Sequence, residues 1–301
     1  LEKGGTKTLR ARYLVACDGA SSSVRRDLDI TMLGNPALTY TTNVIFRCDG
    51  FEKVHGRKIG YRFIFIGTEG TWATIVAING RDQWRFSIIQ SGDGSRALSE
   101  NEVRAAIRKA VGADFEYEIL STVPWTRREL VADRYRRGNI FVAGDAAHAN
   151  SPTGGFGMNT GVGDSVDLSW KIAAVLEGWG GPGLLDSYSA ERQPVAARNV
   201  REASVNLDRM LSPNPDPHLL DDTADGAARR QKTGQDFAEA ISHEWRTLGI
   251  HLGYIYEGSP ICVADGSPMP SREPSVYEQT SRPGSRAPHV WLKDGTSTLD
   301  Y

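Results

Sequence analysis

The chain has 301 residues, of which 40% are hydrophobic and 24% are charged, and its formal net charge is −2 at pH 7. This is the composition of an ordinary globular protein long enough for two domains. No apolar run reaches the ~18 residues of a membrane span, and the charge gives no basic footprint for nucleic acid. Cys17, Cys48 and Cys262 lack metal-ligand spacing, and their odd number argues against a disulfide framework, so we expect a cytoplasmic protein.

The first predicted strand covers residues 13–17 and ends in an Asp-Gly turn. Asp18 and Gly19 follow this apolar run, and three serines then precede Val24 and Arg25. An apolar run, a turn and a serine before a helical pattern predict a buried strand and a helix capped by one of the serines.

The pattern changes near residue 41. Runs rich in β-branched and aromatic residues, joined by turn sequences, predict an antiparallel meander at residues 42–47, 61–66, 71–78 and 83–89. Ser99 and Glu102 form a capping-box pattern before an amphipathic helix, and residues 115–125 predict another strand. Aromatic strand residues are interpreted as core, with substrate contact as the alternative. They are Tyr61, Phe63, Trp72, Trp84 and Phe86.

Arginines are concentrated just before residue 138. Arg127 and Arg128 are followed by the run Arg134-Tyr135-Arg136-Arg137. Such runs are common in solvated turns, which is the interpretation we favour, and phosphate binding is the alternative.

Residues 138–177 organise the chain. They predict a short buried strand, an acidic residue at its carboxyl end, a glycine-rich turn and a helix beginning near Met158. The unpaired N–H groups of a helix N-terminus suit an anionic group, and glycines let a flat ligand approach the backbone. Asp145 would repel a phosphate, so we expect it to accept hydrogen bonds from the hydroxyls of a nucleotide cofactor with a sugar or polyol. Because apolar residues occur on several of its faces, the helix is predicted to be buried on most sides.

These motifs resemble those of a known family. G-D-A-A-H at residues 144–148, followed by P-x-x-G-x-G-M-N-T-G at residues 152–161, is similar to a flavin-binding motif of the single-component FAD-dependent aromatic hydroxylases, the p-hydroxybenzoate hydroxylase group. D-G-x-x-S-x-V-R at residues 18–25 resembles a second fingerprint of this family, which serves FAD and the pyridine nucleotide. L-x-x-Y-x-x-E-R-x-P at residues 185–194 resembles the family's next helix, and we interpret this run and His148 as structural.

The resemblance implies a set of FAD contacts. It gives the Asp145 carboxylate a hydrogen bond to the ribityl chain and places the glycine-rich turn against the flavin. The family usually has glutamine where this chain has Phe156. The implied cofactor-binding residues are Asp18, Gly19, Arg25, Gly144, Asp145, Pro152, Gly155, Phe156, Gly157, Met158 and Asn159.

The implied fold is α/β with mixed α+β character: a partial FAD-binding domain of p-hydroxybenzoate hydroxylase type with an inserted antiparallel-sheet substrate domain. Residues 1–35 and 127–201 are assigned to the FAD-binding domain and residues 36–126 to the substrate domain. Residues 202–281 are assigned to a helical and loop extension, and residues 282–301 to the start of a thioredoxin-like domain. The family opens with a strand–G-x-G-x-x-G–helix unit that holds the ADP half of FAD, and this sequence lacks that unit. We therefore expect a fragment without that unit and without most of the thioredoxin-like domain. The enzyme is expected to be the parent protein, and this fragment alone is expected not to hold FAD tightly.

The implied activity is that of an FAD-dependent monooxygenase. It would hydroxylate a small phenolic or polycyclic aromatic substrate with NADPH or NADH and O2, through a flavin hydroperoxide. The cofactor carries this chemistry, and the protein orients the reactants and excludes water. A flavin-dependent epoxidase or halogenase on the same scaffold and a non-catalytic binding module remain alternatives. A homo-oligomer stays open.

Overall fold

The computed structural model describes residues 8–56, 60–90 and 96–297; residues 1–7 and 298–301 of the predicted terminal segments lie outside these ranges. The described helices are α1 (Ser23–Asp27), α2 (Phe51–His55), α3 (Glu100–Val111), α4 (Phe156–Glu177), α5 (Leu184–Leu211), α6 (Ala224–Ser242) and α7 (Leu248–His251). The described strands are β1 (Leu14–Ala16), β2 (Met32–Arg47), β3 (Arg62–Gly67), β4 (Gly70–Ala77), β5 (Gln83–Gln90), β6 (Glu118–Ala132), β7 (Arg136–Arg137), β8 (Ile140–Val142) and β9 (His148–Ala149).

The chain divides into two compact units. The first consists of residues 1–34, 129–203 and 246–301, and the second of residues 35–128 and 204–245. The chain passes from one unit to the other within β2, β6 and α5, and again between Trp245 and Arg246.

The first unit contains a small sheet in the order β1-β8-β7. β1 and β8 are parallel, with Val15 opposite Phe141. The core behind them includes Phe141 and Tyr188, both 0% exposed, and the Tyr188 hydroxyl donates to the Val142 carbonyl at 3.0 Å. Because parallel strands point the same way, the turn after β1 and the turn after β8 lie at the same edge of the sheet. These are the two turns that carry the sequence motifs.

The second unit is built on an antiparallel sheet. β3 pairs with β4, β4 with β5 and β5 with β2, all antiparallel, and β6 is next in the order. One face of this sheet packs against α3, and the core between them contains Phe46, Phe86 and Ile107, each 0% exposed. The predicted capping box at Ser99 and Glu102 is present at the start of α3.

The predicted meander is confirmed, since each predicted run lies in one of β2 to β5 apart from a residue at some ends. β6 continues to Ala132, well beyond the predicted end at residue 125. Among the aromatic residues interpreted as core, Trp84 and Phe86 are buried, whereas Tyr61 is 55% exposed.

The prediction that α4 is buried on most sides is wrong. Val162 is 56% exposed and Val166 is 63% exposed, whereas Leu168 on another face is 2% exposed. Apolar residues around a helix indicate burial only where a neighbouring element covers them, and none of the described elements covers the face of α4 that carries Val162 and Val166. None of the described helices combines the length and apolar character needed to cross a membrane.

Candidate functional site

The loop after β8 presents the acidic residue of the longest motif. β8 leads into one turn of 3-10 helix, Gly144–Ala146, in which Gly144 has a φ of +59°. This left-handed conformation favours glycine, since a Cβ would be strained there. Asp145 is exposed, and within the described part of the chain its carboxylate has neither a hydrogen bond nor an ion pair. It is therefore available to accept hydrogen bonds from a ligand.

The N-terminus of α4 lies in the same motif and is uncapped. Gly155 is its N-cap residue, with a φ of +68° and no side-chain cap hydrogen bond. A Cβ built on Gly155 meets nothing within 4 Å, so open space adjoins the first turn of this 22-residue helix. Pro152, Met158 and Asn159 are exposed in the same turn. Unpaired N–H groups beside open space favour an anionic ligand.

Phe156 differs from its neighbours in this turn. Its side chain is only 2% exposed and belongs to a small core cluster with Ala203 and Ile250. Its ring also packs edge-on against His251, with 6.0 Å between the ring centroids. The Phe156 side chain therefore belongs to the core, and the flavin contact at this position stays a prediction.

A buried carboxylate on α4 fixes the Asp145 loop. Asp164 is 0% exposed and accepts a hydrogen bond from the Gly144 N–H at 3.1 Å. Its second oxygen accepts from Arg192 Nε of α5 at 2.9 Å, and His148 Nε2 lies 2.9 Å from the first. His148 is itself 0% exposed, which agrees with the structural interpretation of this residue.

Arg192 is held in its charged form by the groups around it. Burial disfavours the charged guanidinium, but the Asp164 carboxylate and the Tyr256 hydroxyl beside it together outweigh burial and raise the pKa of Arg192. Arg192 also donates to the Thr160 carbonyl of α4 at 3.1 Å. A charged pair therefore joins α4 and α5 directly behind the Asp145 loop.

Two further glycines bring α4 close to its neighbours. A Cβ on Gly161 would lie 3.2 Å from the Gly144 Cα, and a Cβ on Gly163 would lie 2.7 Å from Arg192 Nη2. The second distance requires the guanidinium to move. Glycine in this part of the helix therefore allows the loop and Arg192 to pack against α4.

In the shorter motif, Asp18 serves the start of α1. Asp18 Oδ2 accepts from the Ser23 N–H at 2.8 Å and the Val24 N–H at 3.2 Å. The Ser22 side chain accepts from the Arg25 N–H, which confirms the predicted serine cap. Gly19 has a φ of +81° and open space where its Cβ would be.

Arg25 joins the two motifs. Its side chain is 7% exposed and donates to the Ala146 carbonyl at 2.8 Å and to the Ala20 carbonyl at 3.0 Å. The structure therefore assigns Arg25 to holding the Asp145 loop against the turn after β1. It is a positioning residue in this arrangement.

A second buried ionic cluster on α4 and α5 was missed by sequence reasoning. Lys171, 0% exposed, donates to Asp167 at 2.6 Å and also to Glu191, whose other oxygen accepts from Ser259. Burial raises the pKa of Asp167 to about 6, with Lys171 opposing this shift and Glu191 adding to it. The available signal was spacing: residues 164, 167 and 171 share a helix face with the buried Leu168.

The interpretation of the arginine run as a solvated turn is wrong for Arg127. This residue is 5% exposed, because β6 continues through Arg127 and Arg128 to Ala132. The interpretation holds for Arg134, which is exposed and pairs with Asp133 at 2.9 Å.

Comparison with known proteins identifies the family. The model of the FAD binding domain family matches residues 1–203, and the chain belongs to this family. It is 35% identical to a putative polyketide hydroxylase from Streptomyces halstedii, over 99% of this chain and 51% of the relative. It is 32% identical to 2,4-dichlorophenol 6-monooxygenase from Cupriavidus pinatubonensis, over 95% of this chain and 51% of the relative.

Solved structures agree with these relatives. RebC with bound 7-carboxy-K252c superposes with a TM-score of 0.86 at 37% identity, over 99% of this chain and 55% of RebC. A ternary complex of aklavinone-11 hydroxylase with FAD and aklavinone gives a TM-score of 0.74 at 29% identity, over 96% of this chain and 50% of that protein. These matches confirm the predicted family and fold class. The chain spans about half the length of the curated relatives it matches.

The observed residues fit FAD as a ligand. An unpaired carboxylate suits the hydroxyls of a ribityl chain, and an uncapped helix N-terminus suits a pyrophosphate. The two lie in one motif, with Gly155 leaving the backbone between them accessible. Within the described ranges, His, Cys, Asp and Glu side chains form no group of three or more that could hold a metal ion.

Proposed function

We propose that this chain provides the flavin site and the substrate sheet of an FAD-dependent aromatic monooxygenase. Its reaction would be the hydroxylation of a phenolic or polycyclic aromatic compound with NADPH or NADH and O2. The observation that carries this proposal is the Asp145 carboxylate, which has no partner among the described residues, next to the N-terminus of α4, in a chain of the FAD binding domain family. Two relatives named as a polyketide hydroxylase and a dichlorophenol monooxygenase support it.

The proposed roles follow from what each group can donate or accept. Asp145 accepts hydrogen bonds from the ribityl hydroxyls, and the first N–H groups of α4 donate to the pyrophosphate. Gly155, Gly157 and the backbone of Phe156 bring the chain close to the cofactor, and Pro152, Met158 and Asn159 border it.

Other residues act behind this surface. Asp164 holds the N–H of Gly144, and Arg25 holds the carbonyl of Ala146, so both ends of the short loop around Asp145 are fixed before the ligand arrives. Asp18 and Gly19 shape the neighbouring turn. FAD, when bound, supplies the oxygen-activating chemistry, and the protein's part is to hold and orient it and to exclude water.

The activity is tested by reconstituting the chain with FAD and following NADPH and NADH oxidation with and without 2-naphthol. We expect the phenol to accelerate oxidation and a product heavier by one oxygen atom to form. Asp145→Asn should lose this activity, whereas Asp222→Asn, at an exposed residue outside the site, should keep it.

The alternatives give different results in the same experiment. A chlorinated product in the presence of chloride would indicate a halogenase. FAD binding without any oxidation of NADPH or NADH, also after a strand–G-x-G-x-x-G–helix unit is supplied, would indicate a binding module. Either result would contradict the proposed hydroxylase.

A further inference from the structure

A cavity of about 590 Å³ lies in the first unit, beside α4. Its walls come from α4, from α5 and from the stretch of residues 250–256 in the same unit. Phe156 and Asn159, in the first turn of α4, belong to its lining, so the cavity adjoins the proposed flavin site. Small-molecule sites typically have volumes of about 300–1,000 Å³ and combine apolar walls with a few polar groups.

Three aromatic side chains give this cavity flat walls. They are Trp170, Tyr254 and Tyr256, and each is held by a neighbour. Trp170 stacks on Trp179 with 14° between the ring planes. Arg192 Nη1 donates to the Tyr256 hydroxyl at 3.3 Å, and the Arg192 guanidinium lies 5.8 Å from the centroid of the Tyr254 ring. Aromatic walls that are fixed in this way favour a planar ligand.

Asn199, which also lines the cavity, presents an acceptor that has no donor. Thr160 Oγ1 donates its proton to the Phe156 carbonyl at 2.8 Å, so it can only accept from Asn199 Nδ2, which lies 2.9 Å away. This fixes the orientation of the amide. Asn199 Oδ1 is then left buried without a hydrogen-bond partner among the described residues. Since a buried acceptor without a donor is unfavourable, this oxygen calls for a ligand that donates.

Two further residues of the lining leave an oxygen for a ligand. Asn159 Nδ2 donates to the Gly155 carbonyl at 2.9 Å, which leaves Asn159 Oδ1 as an acceptor. Asp167 Oδ2 accepts from Lys171 at 2.6 Å, which leaves Asp167 Oδ1. Within residues 8–56, 60–90 and 96–297, neither of these two oxygens has a hydrogen bond. The cavity therefore offers three acceptor oxygens to a ligand that carries N–H or O–H groups.

The charges of the lining favour a neutral ligand. Asp167 and Arg192 bring one negative and one positive charge to the cavity. Each is already paired with an opposite charge, Asp167 with Lys171 and Arg192 with Asp164. An additional ion would lose its hydration without gaining an unpaired counter-charge.

We propose that this cavity binds a neutral planar ring that carries an NH2 group, namely the reduced nicotinamide ring or the adenine ring of NADPH or NADH. The assignment rests on the proposed function, in which one of these dinucleotides is the co-substrate. The ring lies against the aromatic walls, and its NH2 group donates to the unpaired oxygens of Asp167 and Asn199. The oxidised nicotinamide ring is a cation and fits this lining less well.

The proposal is tested by titration calorimetry of the 301-residue chain with two pairs of probes. In each pair one probe carries the NH2 group and the other carries a dimethylamino group in its place. The pairs are 1-benzyl-1,4-dihydronicotinamide with its N,N-dimethylamide, and 9-methyladenine with 6-dimethylamino-9-methylpurine. The titrations are made at pH 8, above the pKa of about 6 of Asp167, so that this carboxylate is an acceptor. We expect the NH2 probe of at least one pair to bind at least about 10-fold more tightly, because leaving buried acceptors unpaired costs roughly that factor.

Asp167→Asn tests the acceptor directly. Its amide oxygen must face the Lys171 ammonium group, so its NH2 group faces the cavity and opposes the NH2 group of the probe. We expect the preference within the pair to disappear and binding of the dimethylamino probe to stay unchanged. Val166→Arg, at an exposed residue of the lining, should abolish binding of both probes. Val263→Arg, at an exposed valine that does not line the cavity, should change neither, and the unfolding midpoint of each variant checks that it is folded.

Equal affinities within both pairs would overturn the proposal, and so would an undiminished preference in Asp167→Asn or wild-type binding by Val166→Arg. A preference within the first pair assigns the cavity to the nicotinamide ring, and a preference within the second pair alone assigns it to adenine. None of these measurements requires FAD. A chain that prefers the NH2 probes but does not oxidise NADPH or NADH with FAD would contradict the proposed function alone. A chain that hydroxylates 2-naphthol but binds both members of each pair equally would contradict the cavity assignment alone.

Discussion

Replacing Asp164 by asparagine should destabilise the first unit strongly. The side chain keeps its shape but loses its charge, and its amide group must replace one carboxylate oxygen. In one orientation the NH2 group of the amide faces the Gly144 N–H, and in the other it faces the Arg192 Nε–H. In either orientation two hydrogen-bond donors face each other without an acceptor between them. Arg192, 2% exposed, also loses its carboxylate partner.

The expected cost follows from this burial. Breaking a buried ion pair by changing one partner typically costs about 3–5 kcal/mol, because the remaining charge stays buried without compensation. The matched control is Glu100→Gln, which breaks the pair with Arg104 four residues further along α3, where the side chains are 66% and 44% exposed. An exposed pair of this spacing contributes only about 0.3–0.5 kcal/mol.

The assay is guanidinium unfolding followed by far-UV circular dichroism and by the fluorescence of the tryptophans. Trp170 and Trp179 lie in the first unit and report on its transition if the two units unfold separately. A loss in Asp164→Asn no larger than that in Glu100→Gln would refute the central role of this carboxylate. A smaller loss in Asp164→Asn when Arg192 is also replaced by methionine would support the charge argument.

The other predictions concern α4. Gly163→Ala should lower both stability and FAD affinity, because its Cβ would lie 2.7 Å from Arg192 Nη2. Gly234→Ala, in open space on α6, should instead raise the free energy of unfolding by about 0.5–1 kcal/mol. Denaturation and flavin titration of both variants test these expectations. The pKa of Asp167 is raised to about 6, so the native state binds a proton at this carboxyl more tightly than the unfolded state does. The resulting contribution to stability is present near pH 4 and is lost as the pH rises through 6. The free energy of unfolding of the wild-type chain should therefore fall between pH 4 and pH 7 relative to that of Asp167→Asn, by on the order of 2 kcal/mol, and parallel pH profiles of the two proteins would contradict this.

Sequence reasoning located the parts of the fold that local patterns determine. The meander followed from β-branched and aromatic runs between turns, and the α3 cap followed from Ser99 and Glu102, since these signals act over a few residues. The Asp145 loop and the N-terminus of α4 were placed in one motif because an apolar run, an acidic residue and a glycine-rich turn follow one another there.

The rest depended on contacts that join distant parts of the chain. Asp164 and Arg192 are ordinary charged helix residues in the sequence, and their pairing appears only when α4 and α5 pack together. Arg127 looked like part of a solvated run, but β6 extends through it and buries it. The opposite error concerns α4, which was predicted to be buried on most sides although Val162 and Val166 are exposed. Hydrophobicity alone does not determine which neighbouring element covers a helix face.

The most direct test of this account is a flavin titration of the wild-type chain, Asp145→Asn and Asp222→Asn, followed by quenching of FAD fluorescence. We expect saturable quenching by the wild-type chain and by Asp222→Asn. We expect an affinity about 10- to 100-fold lower for Asp145→Asn, since a hydrogen-bonded charged group contributes that factor. Equal affinities of all three proteins, or no saturable quenching by the wild-type chain, would contradict the assignment of the flavin site to Asp145 and the N-terminus of α4.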